Sequence, residues 1–518
     1  MRQKKSMPAK GEKPDLDDNL IIHGDNLHAL KALLPKYAGK VKCIYIDPPY
    51  NTGNEGWCYN DKVNSPLMKE WLKDSANPVD KEDLERHDKW LCMMWPRLQL
   101  LRELLADDGL IFISIDDNAK AHLSLALIEI FHENNFVNDF VWRSRLGKGA
   151  TAVHVAQLHE YVICFSKNKT QIEMAKDMRE SDTDSRERLR QWGQGDRRED
   201  RPSMFYPIAR PNGKEVLPIK PDGSEGRWRL GQDKANDLLK AGLLEFDLRD
   251  DGVYEVYKII KAGHKTETAV DSILTDSEVG TTAHGSKELK EIFGGEQVFD
   301  YPKPSKLIKY LIGLHLDKDA IVLDSFSGSG TTAHAVLALN KEDGGNRKFI
   351  LVEMENYANQ ITAERVRRVI KGVPDSKNEN LKNGLGGSFT FCELGQEINI
   401  ENLLKGEKLP EYEELARYAF YTATGLTLDA VKNGSDYFIG ETENYRAHLV
   451  YKPDLAFLRS GESALNMPLA QSIAQARKKS GKAALVFATH KFMGQKELTD
   501  MGITYCQLPY AIHRVMGD

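Results

Sequence analysis

The sequence predicts an α/β protein with a mostly parallel central sheet, and two observations carry that prediction. Short apolar runs alternate with helical patterns over residues 19–167, and the same alternation resumes at about residue 298. A strand–helix–strand rhythm is typical of parallel strands that are covered by helices. A long charged stretch with weak periodicity separates the two parts, so we expect an inserted domain between them.

Length, charge and cysteine content limit the class of protein. The 518 residues suffice for two to four domains, and the net charge of −6 excludes a uniformly basic nucleic-acid coat. No apolar run approaches the roughly 20 residues of a membrane span. The six cysteines are scattered without a CxxC pair. We therefore expect a cytoplasmic protein with no membrane segment, no disulfide framework and no metal site.

The first part of the chain begins with a polar stretch and continues with predicted strands and helices. Residues 1–18 have no apolar signal region, and we expect a disordered leader there. "NLHALKALLPKY" has helical spacing, as does a longer stretch over 90–109 that stops at "DDG". The predicted strands are "NLIIHGD" (19–25), "VKCIYID" (41–47), "LIFISID" (110–116), "FVNDFVWR" (136–143) and "HEYVICFSK" (159–167).

Residues 168–297 form the charged insertion. The segment is rich in Arg and Gly, and it carries several aromatic residues: Trp192, Phe205, Tyr206 and Trp228. Arg fits guanine edges and phosphates, and aromatic rings pack or stack on bases, so one interpretation is a DNA-contacting module. A solvated insertion without a binding role is the other interpretation, and composition favours neither.

A glycine-rich turn follows the next predicted strand. "LDSFSGSGTTAHAV" places Gly328, Gly330 and Ala333 in a G-x-G-x-x-A pattern at the start of a helix. Such glycines allow a tight turn and a close backbone approach to a ligand, and the helix N-terminus favours negative charge. Glu353 ends the following strand, where a carboxylate can hold a ribose hydroxyl. No Lys follows the glycines, which excludes a P-loop and leaves a dinucleotide or an S-adenosylmethionine site.

The tetrad Asp47-Pro48-Pro49-Tyr50 closes the strand "VKCIYID". Open α/β sheets bind ligands at this carboxyl edge, and two consecutive prolines restrict the backbone there. The Asp47 carboxylate and the Pro48 carbonyl then form a rigid pair of acceptors beside the Tyr50 ring. This arrangement suits a planar amino group on an aromatic ring.

The two motifs together resemble those of S-adenosylmethionine-dependent amino-group DNA methyltransferases. The tetrad is similar to the catalytic motif of that family, and "DSFSGSGTT" to its cofactor motif. Here the catalytic motif precedes the cofactor motif, which is the circularly permuted order of the β class. "FDYPKPSKLIKYL" (299–311) lies where this class completes its cofactor pocket. Among subgroups, the chain most resembles the modification (Mod) subunits of type III restriction-modification systems.

The resemblance implies a Rossmann-like methyltransferase fold, the cofactor S-adenosyl-L-methionine and methylation of adenine N6 in duplex DNA after base flipping (EC 2.1.1.72 type). It assigns 19–167 to the catalytic half, 168–297 to target recognition and 298–374 to the cofactor-binding half. A smaller C-terminal α/β region, 375–518, would serve dimerisation or partner docking. The implied catalytic residues are Asp47, Pro48, Pro49 and Tyr50, and the implied cofactor-binding residues are Asp25, Asp47, Lys303, Pro304, Asp324, Phe326, Gly328, Gly330, Thr331 and Glu353.

Several alternatives stay open at this point. Cytosine N4 is the other target base of the family, although Asp47 at the first tetrad position favours adenine. The chain is alternatively a DNA-binding specificity subunit of a restriction complex, or an NAD-type oxidoreductase built on the glycine turn. Asp25 is as well placed to cap a helix as to hold the cofactor. A homodimer and a helicase-nuclease partner follow only from the type III resemblance.

Overall fold

The computed structural model describes residues 2–7, 17–52, 81–147, 154–180, 182–394, 409–432, 434 and 436–508. The chain divides into two compact units. The first comprises Met1–Met174 and Asp271–Asp518, and the second is Ala175–Val270.

The strands are β1 (Arg2–Met7), β2 (Leu20–His23), β3 (Val41–Ile46), β4 (Leu105–Ile115), β5 (Phe136–Trp142), β6 (Glu160–Ser166), β7 (Asp177–Glu180), β8 (Ser185–Arg188), β9 (Ile208–Ala209), β10 (Glu215–Val216), β11 (Leu244–Leu248), β12 (Tyr254–Ile260), β13 (Lys265–Thr268), β14 (Ile273–Leu274), β15 (Ile321–Asp324), β16 (Lys348–Glu353), β17 (Phe389–Glu393), β18 (Phe438–Glu441), β19 (Tyr445–Leu449), β20 (Ala464–Leu465), β21 (Ala483–Ala488), β22 (His490–Lys491) and β23 (Ile503–Gln507).

The α-helices are α1 (Asn26–Tyr37), α2 (Lys81–Leu104), α3 (Lys120–Phe131), α4 (Gln232–Lys240), α5 (Asp276–Val279), α6 (Thr282–Ile292), α7 (Ser305–Gly313), α8 (Thr331–Asp343), α9 (Thr362–Lys371), α10 (Glu379–Lys382), α11 (Tyr412–Thr424), α12 (Leu455–Arg459), α13 (Met467–Ser480) and α14 (Gln495–Asp500).

A ten-stranded sheet organises the first unit, in the order β1-β17-β2-β16-β15-β3-β4-β6-β5-β14. The strands from β17 through β4 pair in parallel, whereas β6 is antiparallel to both β4 and β5. The α/β fold with a mostly parallel central sheet is thereby confirmed. The central strands are buried along almost their whole length, as strands covered on both faces must be. Helices α1, α2 and α3 pack on one face against alternate strand residues such as Ile44 and Ile111.

Two boundaries differ from the sequence-based expectation. The helix expected over 90–109 ends at Leu104, and "LADDG" already belongs to β4, with a register shift against β3 between Leu105 and Leu110. Pairing with β3 therefore overrides a local signal that is typical of a helix end. Residues Arg2–Met7, within the expected disordered leader, form a strand antiparallel to β17.

The sheet brings the two sequence motifs together. Strand β3, which precedes the tetrad, pairs in parallel with β15, which precedes the glycine turn, and Leu323 lies opposite Ile44. Parallel neighbours end at the same edge of a sheet. Because β3 and β15 are adjacent in the sheet, the tetrad and the glycine turn lie at the same edge, although their order along the chain is permuted.

The C-terminal part of the chain contributes a second sheet, in the order β18-β19-β21-β23. The C-terminal part contacts the main core through α11, where the Tyr421 hydroxyl donates to Glu103 at 2.9 Å, and through the segment after it, where Asp429 pairs with Lys40 at 2.7 Å. Strand β17 falls within the expected C-terminal region 375–518, but it belongs to the central sheet and not to this second sheet. Among the described helices, none is long and apolar enough to cross a bilayer.

The second unit, Ala175–Val270, has its own small core, to which Tyr206 and Trp228 contribute. A buried ion pair crosses this core, in which the Arg190 guanidinium donates to both Glu255 oxygens at 3.0 and 2.7 Å. Trp192, by contrast, is 66% exposed. The compact unit Ala175–Val270 is shorter than the 168–297 insertion expected from composition. Strand β14 and helices α5 and α6 lie within 168–297 but fold with the first unit.

Candidate active site

The proline tetrad leaves β3 with its backbone anchored. Pro48 is buried, and the Trp90 indole of α2 donates to the Pro49 carbonyl at 2.7 Å. Asn51 then adopts a left-handed conformation with φ of 61°, which turns the chain away from the strand. The prolines and the indole contact together hold Asp47 and Tyr50 at the sheet edge.

Two charged residues from distant segments meet the tetrad. The Lys303 ammonium lies 2.9 and 2.8 Å from the two Asp47 carboxylate oxygens and donates to the Tyr50 hydroxyl at 2.7 Å. The Tyr50 hydroxyl in turn donates to Glu160 Oε2 at 2.9 Å. Glu160 Oε2 is also 3.5 Å from Lys303 Nζ. We call these four side chains, Asp47, Tyr50, Glu160 and Lys303, the acidic cluster.

The two carboxylates of the acidic cluster shift the pKa values of Lys303 and Tyr50. Burial acts to lower the pKa of Lys303, but the Asp47 and Glu160 carboxylates outweigh it, and the net shift is upward. Burial, with the same two carboxylates, raises the pKa of Tyr50 well above its usual range. The lysine is therefore an ammonium and the tyrosine a neutral phenol throughout the physiological pH range.

The glycine turn lies at the end of β15 and leads directly into α8. Gly328 and Gly330 have φ of 47° and 78°, and a side chain at Gly330 would approach the Thr362 carbonyl oxygen to 2.9 Å. Only glycine fits this conformation without strain. The turn thus presents open backbone at the N-terminus of a buried helix, where an anion or a polar ligand group is favoured.

Two buried carboxylates flank the turn. Asp324 accepts hydrogen bonds from the Phe326 amide at 3.0 Å and the Thr332 hydroxyl at 2.5 Å, and Glu353 accepts from the Gly328 amide at 2.7 Å. Burial is the main cause that raises the pKa of each carboxyl to about 7. The hydrogen bonds to Asp324 and Glu353 do not offset the cost of burying a charged carboxylate. A cationic ligand beside these two residues would favour their ionised form.

A buried polar network centred on Arg365 stabilises the glycine turn. The Arg365 guanidinium of α9 donates to Thr331 Oγ1 at 2.7 Å and to Ser329 Oγ at 3.0 Å. It also pairs with Glu288 of α6 at 3.1 Å. Burial lowers the pKa of the neighbouring His334 to about 4, so its imidazole is neutral there. The network fixes the helix N-terminus from which the turn presents its backbone.

The tetrad and the glycine turn open into one cavity of about 470 Å³. An edge-to-face pair, Phe299 and Tyr357, forms part of its wall, with ring centroids 5.6 Å apart. The remaining lining residues are Tyr45, Asp47, Pro48, Pro49, Tyr50, Thr52, Asp300, Tyr301, Pro302, Lys303, Asp324, Phe326, Ser327, Gly328, Ser329, Thr331, Thr332, Glu353 and Glu355.

Three expected cofactor residues, Asp25, Pro304 and Gly330, do not line this cavity within the part of the chain that the structure describes. Asp25 caps α1 by accepting from the His28 amide at 3.1 Å. Pro304 precedes the first residue of α7 and lies close to Gly280. Their roles toward the cofactor stay predictions, and their observed contacts are with the protein itself.

Sequence reasoning missed Glu160 and the Arg365 network. The adjacent His159 has its Nε2 3.0 Å from the Tyr161 hydroxyl and does not line the cavity among the described residues. An acidic residue that opens an otherwise apolar strand was the available signal for Glu160. Lys303 was expected at the cofactor, but it contacts the catalytic candidate Asp47 directly.

Comparison with known proteins identifies the family. Residues 41–364 match the family model described as DNA methylase, covering N6 and N4 enzymes, and the chain belongs to this family. The type III restriction-modification enzyme EcoPI Mod subunit of Escherichia phage P1 is 32% identical over 74% of this chain and 67% of its own length. The StyLTI Mod subunit of Salmonella typhimurium is 34% identical over 68% of this chain and 57% of its own length.

A type II methyltransferase is also similar. M.KpnI of Klebsiella pneumoniae is 32% identical over 71% of this chain and 91% of its own length. The chain thus spans between 57% and 67% of the length of the two Mod subunits and most of the length of M.KpnI. The resemblance to amino-group DNA methyltransferases, and to Mod subunits among them, is confirmed.

Proposed function

We propose that this chain transfers a methyl group from S-adenosylmethionine to the N6 amino group of adenine in duplex DNA, as the modification enzyme of a restriction-modification system. One observation carries the proposal. Asp47 and the glycine turn, far apart in sequence, open into one cavity at the ends of adjacent parallel strands. In this proposal the target amino group and the cofactor occupy one cavity, as direct methyl transfer requires.

The cavity fits S-adenosylmethionine, the cofactor of this family. Its size suits a ligand of that class, and the turn lacks the side chains that would fill the approach to the backbone. Asp324 and Glu353 line the cavity, and we assign their carboxylates to a ligand that carries an ammonium and a sulfonium, with Glu353 as the proposed partner of a ribose hydroxyl. Phe299 and Tyr357 offer aromatic surface to an adenine ring.

When bound, the cofactor supplies an electrophilic methyl group. The Asp47 carboxylate and the Pro48 carbonyl accept hydrogen bonds from the two N–H groups of the target amino group, which directs the nitrogen lone pair toward the methyl carbon. The N–C bond forms as the S–C bond of the sulfonium breaks, a thioether is the leaving group, and the surplus amino proton is lost to solvent. Catalysis in this scheme consists of positioning and electrostatics and needs no covalent enzyme intermediate. A base within a duplex cannot reach this edge, so the scheme requires base flipping, with the Tyr50 ring as the stacking face.

Recognition of DNA is assigned to the second unit. Trp192, 66% exposed, offers a stacking surface, and Arg186 and Arg188 are about half exposed on β8. Arginine is suited both to phosphates and to guanine edges. By analogy with the Mod subunits, the proposal extends to a homodimer, a helicase-nuclease restriction partner and a cytoplasmic location.

Modification-aware sequencing tests the proposal. DNA is sequenced from methylation-deficient cells that express the wild-type chain or its Asp47→Ala variant. The expected result is one short sequence motif that carries N6-methyladenine only with the wild-type chain. N4-methylcytosine in that motif would favour the alternative target base instead. No modified base, despite tight binding of S-adenosylmethionine to the purified protein, would favour a DNA-binding specificity subunit and contradict the proposal.

A further inference from the structure

The acidic cluster raises a problem for the proposed chemistry. The target amino group needs the Asp47 carboxylate as an acceptor, yet both carboxylate oxygens contact the Lys303 ammonium, at 2.9 and 2.8 Å. The Lys303 side chain is only 10% exposed, so water cannot readily replace a lost contact. An amino group that enters this site must therefore compete with a buried cation for the same oxygens.

Glu160 offers the ammonium a second acceptor. Its Oε2 lies 3.5 Å from Lys303 Nζ, and its side chain is 13% exposed. A close charge-assisted contact of this type is about 2.8 Å long, so a shift of roughly 0.7 Å by the flexible lysine end completes the pair. Tyr50 lies between the two positions, because its hydroxyl accepts from Lys303 and donates to Glu160. The hydroxyl remains in contact with both residues along this path.

We propose that Glu160 is a positioning residue for methyl transfer: it takes over the Lys303 ammonium when the target amino group engages Asp47. The inference rests on the proposed function and deepens it. Before the base arrives, Lys303 orients the Asp47 carboxylate. Once the base is in place, Glu160 keeps the ammonium paired, and the carboxylate oxygens are released without leaving a buried charge alone.

The charge balance of the cluster agrees with this division of roles. One ammonium faces two carboxylates, and both lie close enough to contribute to the raised pKa of Lys303. A single structural ion pair would need only one acid. The second acid leaves the cluster with a net negative charge, which also favours the positive charge that develops on the amino nitrogen during transfer.

The experiment measures single-turnover methyl transfer from tritiated S-adenosylmethionine to unmethylated bacterial genomic DNA. Equilibrium dialysis of the same proteins gives the cofactor Kd. The variants are Glu160→Gln, Glu160→Asp, Lys303→Met and the double variant Lys303→Met/Glu160→Gln. The matched controls are Glu342→Gln and Lys309→Met, which break an ion pair of 2.9 Å on α7 and α8, away from the cavity.

We expect Glu160→Gln to slow transfer about 10- to 100-fold while the cofactor Kd stays within about threefold, because a positioning contact is lost and the cofactor site is intact. Glu160→Asp should recover part of the lost rate, since it retains the charge. In the Lys303→Met background, Glu160→Gln should cause no further loss, because no ammonium remains to be transferred between the acids. Both controls should match the wild type.

Three results would overturn the inference: a wild-type rate in Glu160→Gln, equal loss in the Asp and Gln variants, or losses that multiply in the double variant. A Glu160→Gln protein that fails to bind cofactor would show a folding role, and Glu160→Asp then decides by its rate. A wild-type chain that methylates no DNA would refute the proposed function, and the inference would fail with it. The wild-type arm thus separates the two failures.

Discussion

Asp324 offers a sharp test of how the cofactor cavity is built, through the substitution Asp324→Asn. Asparagine has nearly the same shape; it can still accept from the Phe326 amide, and the Thr332 hydroxyl can rotate to accept from the new NH₂ group. The variant removes the ionisable group and preserves the packing. It therefore isolates the cost of keeping a buried acid where no cation compensates it.

The magnitude follows from the raised pKa. Burial lifts the carboxyl from 3.8, its ordinary value, to about 7. An acid with a raised folded-state pKa is destabilising above its unfolded pKa, and the cost grows with pH until the folded pKa is passed. At about 1.4 kcal/mol per pKa unit, the cost at pH 8 is up to about 4 kcal/mol. At pH 5 it is about 1.6 kcal/mol, since the folded carboxyl is then protonated.

Asp324→Asn should therefore raise the apparent melting temperature of the cofactor-free protein more at pH 8 than at pH 5. The two gains in unfolding free energy should differ by about 2.5 kcal/mol. The same variant should bind S-adenosylmethionine more weakly. Thermal unfolding at both pH values measures the effect, and Asp319→Asn, at an exposed position before the same strand, is the control. An equal change at both pH values, or a loss confined to pH 8, would refute the reasoning.

Three further predictions concern the turn, the tetrad and the second unit. Gly330→Ala forces a side chain toward the Thr362 carbonyl and should weaken cofactor binding at least about tenfold. The control is Gly344→Ala at the C-terminal cap of the same helix, where a side chain has space, and it should leave the cofactor Kd unchanged. Trp90→Phe loses the hydrogen bond to the Pro49 carbonyl and should slow single-turnover transfer about fivefold; an unchanged rate would contradict the anchoring role. Glu255→Gln unpairs the buried Arg190 and should cost about 3–5 kcal/mol, so limited proteolysis should cleave within Ala175–Val270 while cofactor binding persists.

Both halves of the candidate site could be located from the sequence because each depends on local chemistry. Two consecutive prolines restrict the backbone wherever they occur, and glycines before a helix allow a turn that other residues cannot adopt. The structure adds that Gly330 has a positive φ and no room for a side chain. Such constraints are written in a few adjacent residues and need no knowledge of the rest of the fold.

The acidic cluster could not be predicted in the same way, because its members come from three separate segments. Lys303 precedes α7, Glu160 opens β6 and Asp47 follows β3, and only the sheet order brings them together. The end of α2 was misplaced for a related reason. The residues after Leu104 have the local character of a helix end, but β3 offers them backbone partners, and pairing prevails.

The adjacency of β3 and β15 has a consequence for synthesis on the ribosome. Ile46 ends one strand, and its neighbour begins at Ile321, about 275 residues later. At about 5–20 residues per second, the apolar edge of β3 waits roughly 15–55 s for its partner. An unpaired hydrophobic strand edge is a template for association with other chains. Strand β4, which is made earlier, pairs with the other edge of β3, so a chain that stalls within Ala175–Val270 would leave the edge that faces β15 unpaired.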